Sequence, residues 1–160
     1  MTEKKAAHKT VSESQVVLAQ VMLPEDTNPA GNVHGGTIMK LVDNAASVVA
    51  FRHCRRNCVT VSMDRMDFLY PVYLGDLVTL KASLNWVGKT SMEIGVKVEA
   101  EDLMTGRVRH TSSAYLTFVA LNALGRPVEA PGITPETPEE KRRFQEGAQR
   151  AAERRRKTVR

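Results

Sequence analysis

The chain has 160 residues, 42% of them hydrophobic and 26% charged, which suits one domain with its own core. No apolar run approaches the roughly 20 residues that a membrane-spanning helix needs, and the polar N-terminal residues lack the apolar segment of a signal peptide. Two cysteines, Cys54 and Cys58, are too few for a disulfide framework. We therefore expect no membrane insertion and a cytoplasmic location.

The net charge of +5 is unevenly distributed along the chain. Residues 134–160 hold nine Lys/Arg and five Asp/Glu, whereas the remainder holds fourteen basic and thirteen acidic residues. The basic character therefore belongs to one C-terminal segment. Its interleaved glutamates, and the lack of aromatic residues other than Phe144, argue against nucleic-acid binding.

The N-terminal part predicts a strand, a polar loop and a long helix. Residues 1–10 are predicted to be flexible, and β-branched and apolar residues predict a first strand at 11–22. Turn-forming residues fill the loop 24–34. A helix is predicted from Gly35 to about Arg56, with a C-cap at the next residue, because apolar side chains recur at helical spacing. These side chains are Ile38, Leu41, Val42, Ala45, Ala46 and Val49.

The C-terminal part predicts an antiparallel sheet followed by a second helix. Alternating apolar residues predict strands at 59–68, 77–87, 92–99 and 108–121, and a phase change near Met66 predicts a bulge. The segment that begins at residue 134 predicts a helix that is polar almost all round, which suits the surface or a partner contact.

This order of elements predicts an α+β domain. A curved antiparallel sheet, with its last four strands in hairpin succession, packs against one central helix. We assign residues 11–133 to this domain and residues 134–160 to a basic helical tail. One helix covers only one face of the sheet and leaves its edges open, so dimerisation is expected.

Polar residues around the start of the long helix are candidates for catalysis. Asp43 borders the apolar stripe, where it can act as a general base or nucleophile, or can be a solvated carboxylate. Asn28 can orient a water or carbonyl, or can be a turn residue. His34 can act as an acid or base, or can bind backbone. At Gly36, the N–H groups of the helix N-terminus can approach a negatively charged ligand.

Other groups give weaker signals. His53, Cys54 and Cys58 offer three metal ligands but not the four of a structural zinc site, so no metal site is predicted. The turn at 88–91 offers hydroxyls and a lysine to a phosphate, or is only a hairpin. The tail arginines meet an anionic partner or form a solvated face. They are Arg142, Arg143, Arg150, Arg154, Arg155 and Arg156.

Several segments together carry a family resemblance. Residues 26–36, Asp-Thr-Asn-Pro-Ala-Gly-Asn-Val-His-Gly-Gly, followed by Met-Lys-Leu-Val-Asp at 39–43, closely resemble the hotdog-fold acyl-CoA thioesterases of the cytosolic acyl-CoA hydrolase branch. Val-Thr-Val-Ser-Met-Asp at 59–64 and Gly-Lys-Thr-Ser-Met-Glu at 88–93 extend the match. The resemblance implies a hotdog fold, in which a sheet of five to six strands wraps a long helix, with a polar C-terminal helix added.

The same resemblance implies hydrolysis of fatty acyl-CoA to fatty acid and CoA, without a metal or cofactor. It maps the family's catalytic pair onto Asn28 and Asp43, contributed by opposite subunits of a homodimer, and it implies a trimer of dimers. The Gly36 N–H is expected to hold the oxyanion, and His34 is a further candidate. CoA phosphates are expected to meet Lys89, Thr90, Ser91, Arg142 and Arg143.

Two alternatives remain within the hotdog fold. A non-catalytic module could bind acyl-CoA and report its concentration, although such a module would lack the carboxylate that Asp43 supplies. A dehydratase would use a histidine with a carboxylate, and His34 is available, but its loop matches the thioesterase pattern.

Overall fold

The computed structural model describes residues 7–158. The helices and strands, in chain order, are β1 Lys9–Thr10, β2 Val16–Val21, α1 Gly35–Cys54, β3 Cys58–Met63, β4 Asp67–Phe68, β5 Leu77–Val87, β6 Ser91–Glu101, β7 Val108–Ala120, β8 Ile133–Thr134 and α2 Pro138–Thr158. A six-stranded antiparallel sheet and a long helix confirm the predicted α+β hotdog fold.

The strand order of the sheet corrects part of the prediction. Its order is β2-β5-β6-β7-β3, with β4 also paired to β7. The hairpin succession holds for β5, β6 and β7, but β3 pairs with β7, which lies far along the chain. Alternating apolar residues identify strands without naming their neighbours, so the pattern could not reveal this pairing. Strands β2 and β3 are left at the edges of the sheet.

Helix α1 packs on one face of the sheet. Val42, Ala45, Ala46 and Val49 have no exposed surface and join the core of inward-facing strand residues. The helix ends at Cys54, earlier than predicted, because Arg55 adopts a left-handed conformation with φ of 52°. Arg55, rather than residue 57, is therefore the C-cap.

The first and third strands also differ from the sequence pattern. The predicted strand at 11–22 is strand only from Val16 to Val21, since Val11–Glu13 forms a 3-10 turn. Residues 1–6 of the segment expected to be flexible lie outside the described residues, and β1 pairs in parallel with β8. The prediction of one strand at 59–68 with a bulge near Met66 is wrong, because the strand is broken between Met63 and Asp67. A register shift occurs earlier, between Thr60 and Ser62.

Helix α2 packs on the opposite face of the sheet from α1. Met92 and Ile94 belong to the core beneath α1, so Glu93 between them points to the other face, where Gly147 and Ala151 of α2 are buried. A Cβ on Gly147 would come within 2.9 Å of a Glu93 carboxylate oxygen. The small residues of α2 therefore permit a close approach to the sheet.

A buried ion-pair network fastens α2 to the sheet. Glu93, with 0% of its surface exposed, accepts two hydrogen bonds from the Arg150 guanidinium, at 2.8 and 2.9 Å. Arg154 donates to Asp64 at 2.6 Å and to Glu93 at 3.3 Å. Arg150 and Arg154 are thus neither a solvated face nor free for an anionic partner. We call these four residues the α2 clamp.

The charge of Glu93 depends on this network. Burial raises the pKa of its carboxyl group, but the hydrogen bonds and charge of Arg150, together with Asn85 and Arg154, outweigh burial and hold that pKa below its usual value. The bidentate geometry is the strongest form of arginine–carboxylate pairing. The Glu93 carboxylate is therefore expected to remain ionised at neutral pH.

The buried His53 side chain should make the stability of the fold decrease in acid. The residue is 1% exposed; Nε2 contacts the Pro131 carbonyl oxygen at 2.5 Å, and Nδ1 has no hydrogen-bond partner among residues 7–158. Burial lowers the pKa of His53, so the unfolded state binds the proton more tightly. Stability should be fully present above the unfolded pKa, about 6.5, and fall at lower pH by at most about 1.4 kcal/mol per pH unit.

Chemical denaturation of the wild type and His53→Gln between pH 7.5 and 5 measures this dependence. The variant should show a shallower loss of stability with acid than the wild type. Parallel slopes for the wild type and His53→Gln would contradict the assignment.

Within residues 7–158, no helix is both long and apolar enough to cross a bilayer.

Candidate active site

Asp43 lies at the margin of α1, half-buried and next to strand β3. Its Oδ1 accepts a hydrogen bond of 2.7 Å from the Thr60 hydroxyl. This bond holds one carboxylate oxygen and leaves the other able to accept a proton. Sequence reasoning missed Thr60, although it lies in the segment 59–64 that matched the family pattern. Only the packing of α1 beside β3 shows that the two residues meet.

Asn28 is fixed by its own loop. Its side-chain Oδ1 accepts hydrogen bonds from the backbone N–H groups of Ala30 and Asn32, at 3.0 and 3.1 Å. Asn28 is therefore a turn residue, and its side-chain carbonyl oxygen is occupied by these two hydrogen bonds. Within the described residues Nδ2 makes no hydrogen bond, so Asn28 presents an oriented N–H donor. The turn and the donor are compatible roles of one residue.

The loop 24–34 is held rigidly against the segment that precedes β5. Val33 N–H donates to the Val72 carbonyl at 2.7 Å, and Leu74 N–H donates to the Gly31 carbonyl at 3.0 Å. These bonds fix the position of Asn28 relative to the start of α1. The loop can therefore present Asn28 without a large ordering cost on binding.

The N-terminus of α1 offers free backbone donors. Thr37 and Ile38 N–H groups both bond to the His34 carbonyl, so they are already used. The N–H of Gly36 has no acceptor among the described residues, and a Cβ built on Gly36 would meet nothing within 4 Å. This open space lets an anionic oxygen approach the helix end. The His34 side chain is exposed and makes no hydrogen bond within residues 7–158.

The helix geometry separates the Gly36 N–H from the Asp43 carboxylate. Gly36 and Asp43 lie seven residues apart on α1, which is about 10 Å along the helix axis. One thioester carbonyl needs an oxyanion donor and a general base each within about 3 Å of the reacting atoms. The axial separation of the two residues in one chain is thus larger than these distances.

The expected CoA-binding residues occupy two separate places. Lys89, Thr90 and Ser91 lie at the β5–β6 hairpin, where the Lys89 carbonyl accepts from Ala130 N–H. The remaining two, Arg142 and Arg143, form ion pairs with α2 glutamates and line a groove of about 660 Å³ on the outer face of the sheet. The sheet separates that groove from α1 of the same chain.

The candidate metal ligands do not form a site. Within residues 7–158, no three His, Cys, Asp or Glu side chains cluster closely enough to hold a metal ion. Cys54 and Cys58 are buried free thiols, and His53 points toward the Pro131 carbonyl.

Comparison with known proteins shows which family this chain belongs to. The Thioesterase superfamily model matches residues 30–107. Over 142 residues the chain is 46% identical to the uncharacterized acyl-CoA thioester hydrolase YkhA of Bacillus subtilis, covering 89% of this chain and 83% of the relative. This chain belongs to the acyl-CoA thioester hydrolase family. It is therefore an enzyme of the thioester hydrolase class.

Solved structures of the family share the fold over nearly the whole chain. An acyl-CoA hydrolase from Bacillus cereus has a TM-score of 0.90 at 39% identity, covering 95% of this chain and 93% of that one. One from Staphylococcus aureus, in complex with butyryl coenzyme A, coenzyme A and coenzyme A disulfide, has a TM-score of 0.87 at 34% identity, covering 95% and 93%. An apo-hexameric acyl-CoA thioesterase has a TM-score of 0.90 at 32% identity, covering 95% and 97%.

The Staphylococcus hydrolase has also been solved as Asp43Ala, Asn28Ala and Thr60Ala mutants, in its own numbering. The same three residue types stand at those numbers in the present acyl-CoA thioester hydrolase.

Proposed function

We propose that this enzyme hydrolyses fatty acyl-CoA to a free fatty acid and CoA, with Asp43 as the general base. The hydrogen bond from Thr60 to Asp43 carries the proposal, because it orients a half-buried carboxylate at the margin of the apolar face of α1. Butyryl coenzyme A bound to the Staphylococcus hydrolase supports the substrate class.

The proposed reaction uses one water molecule. Asp43 takes a proton from the water as its oxygen attacks the thioester carbon, and the Nδ2 of Asn28 donates to that oxygen and orients it. The negative charge that develops on the carbonyl oxygen is held by the Gly36 N–H. The carbon–sulfur bond then breaks, and the CoA thiolate takes the proton from Asp43. Direct attack by Asp43 on the carbon is the alternative that the same groups allow.

The rest of the proposal concerns assembly and setting. The axial distance between Gly36 and Asp43 supports a site shared between two subunits, and the hexameric relative supports a trimer of dimers. Strand β3 offers an open edge with exposed Val59 and Val61 to a second copy.

Buried free cysteines fit a reducing cytoplasm. Water and the chain's own groups suffice for the steps above, so we propose no metal or cofactor. Lys89, Thr90 and Ser91 remain proposed phosphate contacts.

Mixed oligomers test the shared site. Asp43→Asn and Asn28→Ala should each inactivate every site of a homodimer. After unfolding and refolding together in equal amounts, half of the dimers are hybrids, and each hybrid holds one site with both residues intact. Activity is therefore expected to recover to about a quarter of the wild-type value. Release of free thiol from an acyl-CoA measures this recovery.

The control is each variant refolded alone, which should stay inactive. Asp43→Asn refolded with a second Asp43→Asn preparation of different tag should also stay inactive. No recovery in hybrids whose formation is confirmed by tag pull-down would place both residues in one chain's site and refute the shared arrangement.

A further inference from the structure

Arg109, the second residue of β7, reaches the turn that precedes β5. Its guanidinium donates to the Asp76 carboxylate at 2.9 Å and to the Pro71 carbonyl at 3.0 Å. The side chains of Arg109 and Asp76 are 16% and 7% exposed, and no other cation within residues 7–158 lies within ion-pair distance of Asp76. A planar guanidinium that meets two acceptors through different nitrogen atoms holds both in one geometry. Arg109 therefore braces the two ends of the turn formed by residues 71–76.

The Asp76 carboxylate also folds this turn from within. The oxygen that accepts from Arg109 accepts from the Tyr73 backbone N–H as well, at 2.9 Å. The Asp76 backbone N–H donates to the Tyr73 carbonyl at 3.0 Å, and the Asp76 carbonyl accepts from the Met22 N–H at 2.9 Å. The Arg109 guanidinium lies over the Tyr73 ring, 5.3 Å from its centroid. One side-chain pair thus joins the turn to β7 and to the end of β2.

Polar contacts, rather than apolar packing, hold the middle of the turn. Tyr73 and Leu74 leave 45% and 50% of their surfaces exposed. Burying an ion pair has a desolvation cost, and apolar residues of similar volume often stabilise a fold as well as the pair does. A shielded pair beside exposed apolar residues therefore indicates that the position of the turn, and not only stability, depends on Arg109 and Asp76.

The loop that carries Asn28 rests on this turn. Asn32 and Tyr73 form an antiparallel bridge, next to the two hydrogen bonds that hold loop 24–34 against the segment before β5. The Asn32 N–H donates to the Asn28 side chain at 3.1 Å, and the Asn32 carbonyl accepts from the Asn28 N–H at 2.8 Å. A continuous series of direct contacts therefore leads from the Arg109 guanidinium to the Asn28 side chain.

We propose that Arg109 is a positioning residue for Asn28. Its ion pair with Asp76 fixes the turn, and the turn fixes the loop, so that the Asn28 Nδ2 is held where it orients the attacking water. Misplacement of a catalytic group by about 1 Å, caused by a change far from the reacting atoms, can lower a rate by about 10²-fold. This inference rests on the proposed function, since it assumes that Asn28 acts in the reaction.

Arg109→Lys tests the brace while keeping the positive charge. A lysine ammonium lacks the fork of a guanidinium, so it cannot hold Asp76 and the Pro71 carbonyl together in the same geometry. We expect kcat for acyl-CoA hydrolysis to fall by about tenfold, with KM within about twofold of the wild-type value, because Asn28 orients water and does not hold the substrate. Release of free thiol over a range of acyl-CoA concentrations measures both constants. An unchanged kcat would overturn the inference.

Hydrogen exchange, measured by mass spectrometry on the intact oligomer, reports on the loop directly. Peptides that cover residues 24–34 should exchange faster in Arg109→Lys than in the wild type, because their bonded N–H groups open more often. Arg150→Lys is the matched control, since it makes the same change in the shielded pair with Glu93 on the α2 side of the sheet. It should lower the thermal midpoint but leave kcat and loop exchange at wild-type values. Equal losses of kcat in the two variants would overturn the inference.

Mixed oligomers show whether Arg109 acts through the Asn28 of its own chain. In a hybrid of Asp43→Asn with Asn28→Ala, the intact site takes Asn28 from the Asp43→Asn chain. Arg109→Lys added to that chain should lower the recovered activity to about a tenth of the value for the parent pair. The same change added to the Asn28→Ala chain should leave the recovery unaltered. A general loss of stability would lower the recovery equally for both placements.

Asp76→Asn repeats the hybrid test from the other side of the ion pair, and it replaces Arg109→Lys if that variant does not assemble. Asparagine can still accept from the Tyr73 N–H but offers Arg109 no charge, so the same dependence on placement should appear with a smaller loss. The same recovery for both placements, or a larger loss on the Asn28→Ala chain, would overturn the inference. No recovery by the parent pair would instead refute the shared site of the proposed function, and loop exchange would still decide whether Arg109 holds the loop of Asn28.

Discussion

Replacing Asp43 with asparagine is expected to lower kcat for acyl-CoA hydrolysis by about 10²–10⁴-fold, the range that general-base catalysis supplies. Asparagine has nearly the same shape, and its carbonyl oxygen can still accept the hydrogen bond from Thr60. The loss should therefore appear in kcat rather than in folding. Thiol release under saturating acyl-CoA measures it, and sedimentation and thermal unfolding confirm an intact assembly.

The Thr60 hydroxyl provides a graded comparison. Thr60→Val keeps the shape of the side chain and removes the donor, so Asp43 loses the hydrogen bond that orients it. We expect a smaller loss of kcat than for Asp43→Asn, and Thr60→Ser should keep most of the wild-type activity.

Full activity in Asp43→Asn, with the same acyl-CoA and the same oligomeric state, would eliminate the proposed mechanism.

Replacing Arg150 with methionine is expected to destabilise the fold by about 3–5 kcal/mol, which corresponds to roughly 10 °C in thermal midpoint for a chain of this size. The reason is that the Glu93 carboxylate has no solvent contact and would keep only Asn85 and the longer bond from Arg154. The stacking of Arg150 on the Tyr115 ring, at 3.7 Å, would also be lost.

Two comparisons separate the buried charge from a general effect of losing an arginine. Arg142→Met breaks an exposed pair with Glu146 and should cost less than about 1 kcal/mol. The double variant Arg150→Met/Glu93→Met removes both charges and should recover most of the lost stability. A double variant as unstable as Arg150→Met would show that packing, rather than the unpaired carboxylate, sets the cost.

Much of the fold follows from periodicity in the sequence. The helical spacing of Val42, Ala45 and Val49 predicted the buried face of α1, and alternation predicted the long strands. The pairing of β3 with β7 could not be read in this way, because alternation does not show which strand pairs with the open edge of the β5–β6–β7 meander. The end of α1 was misplaced because an arginine, not a glycine, occupies the left-handed C-cap.

The candidate site was predicted in part. The resemblance pointed to Asp43, Asn28 and Gly36, and the geometry gives each a free group suited to its proposed role. Thr60 was missed because a hydrogen bond between a helix and a strand distant in sequence leaves no local pattern. The roles of Arg150 and Arg154 were missed for a related reason. A polar helix looks solvated by composition, although its partner Glu93 is buried among apolar neighbours in β6.

The α2 clamp has a consequence for synthesis of the chain. Glu93 is 57 residues from Arg150, and Asp64 is 90 residues from Arg154. While the polypeptide is still emerging from the ribosome, the outer surface of the nascent sheet therefore lacks its cover and Glu93 lacks its counter-charge. The final turns of α2 must leave the exit tunnel before the domain can reach full stability. Translation that stops shortly before residue 150 would release an incomplete product that quality-control proteases can recognise.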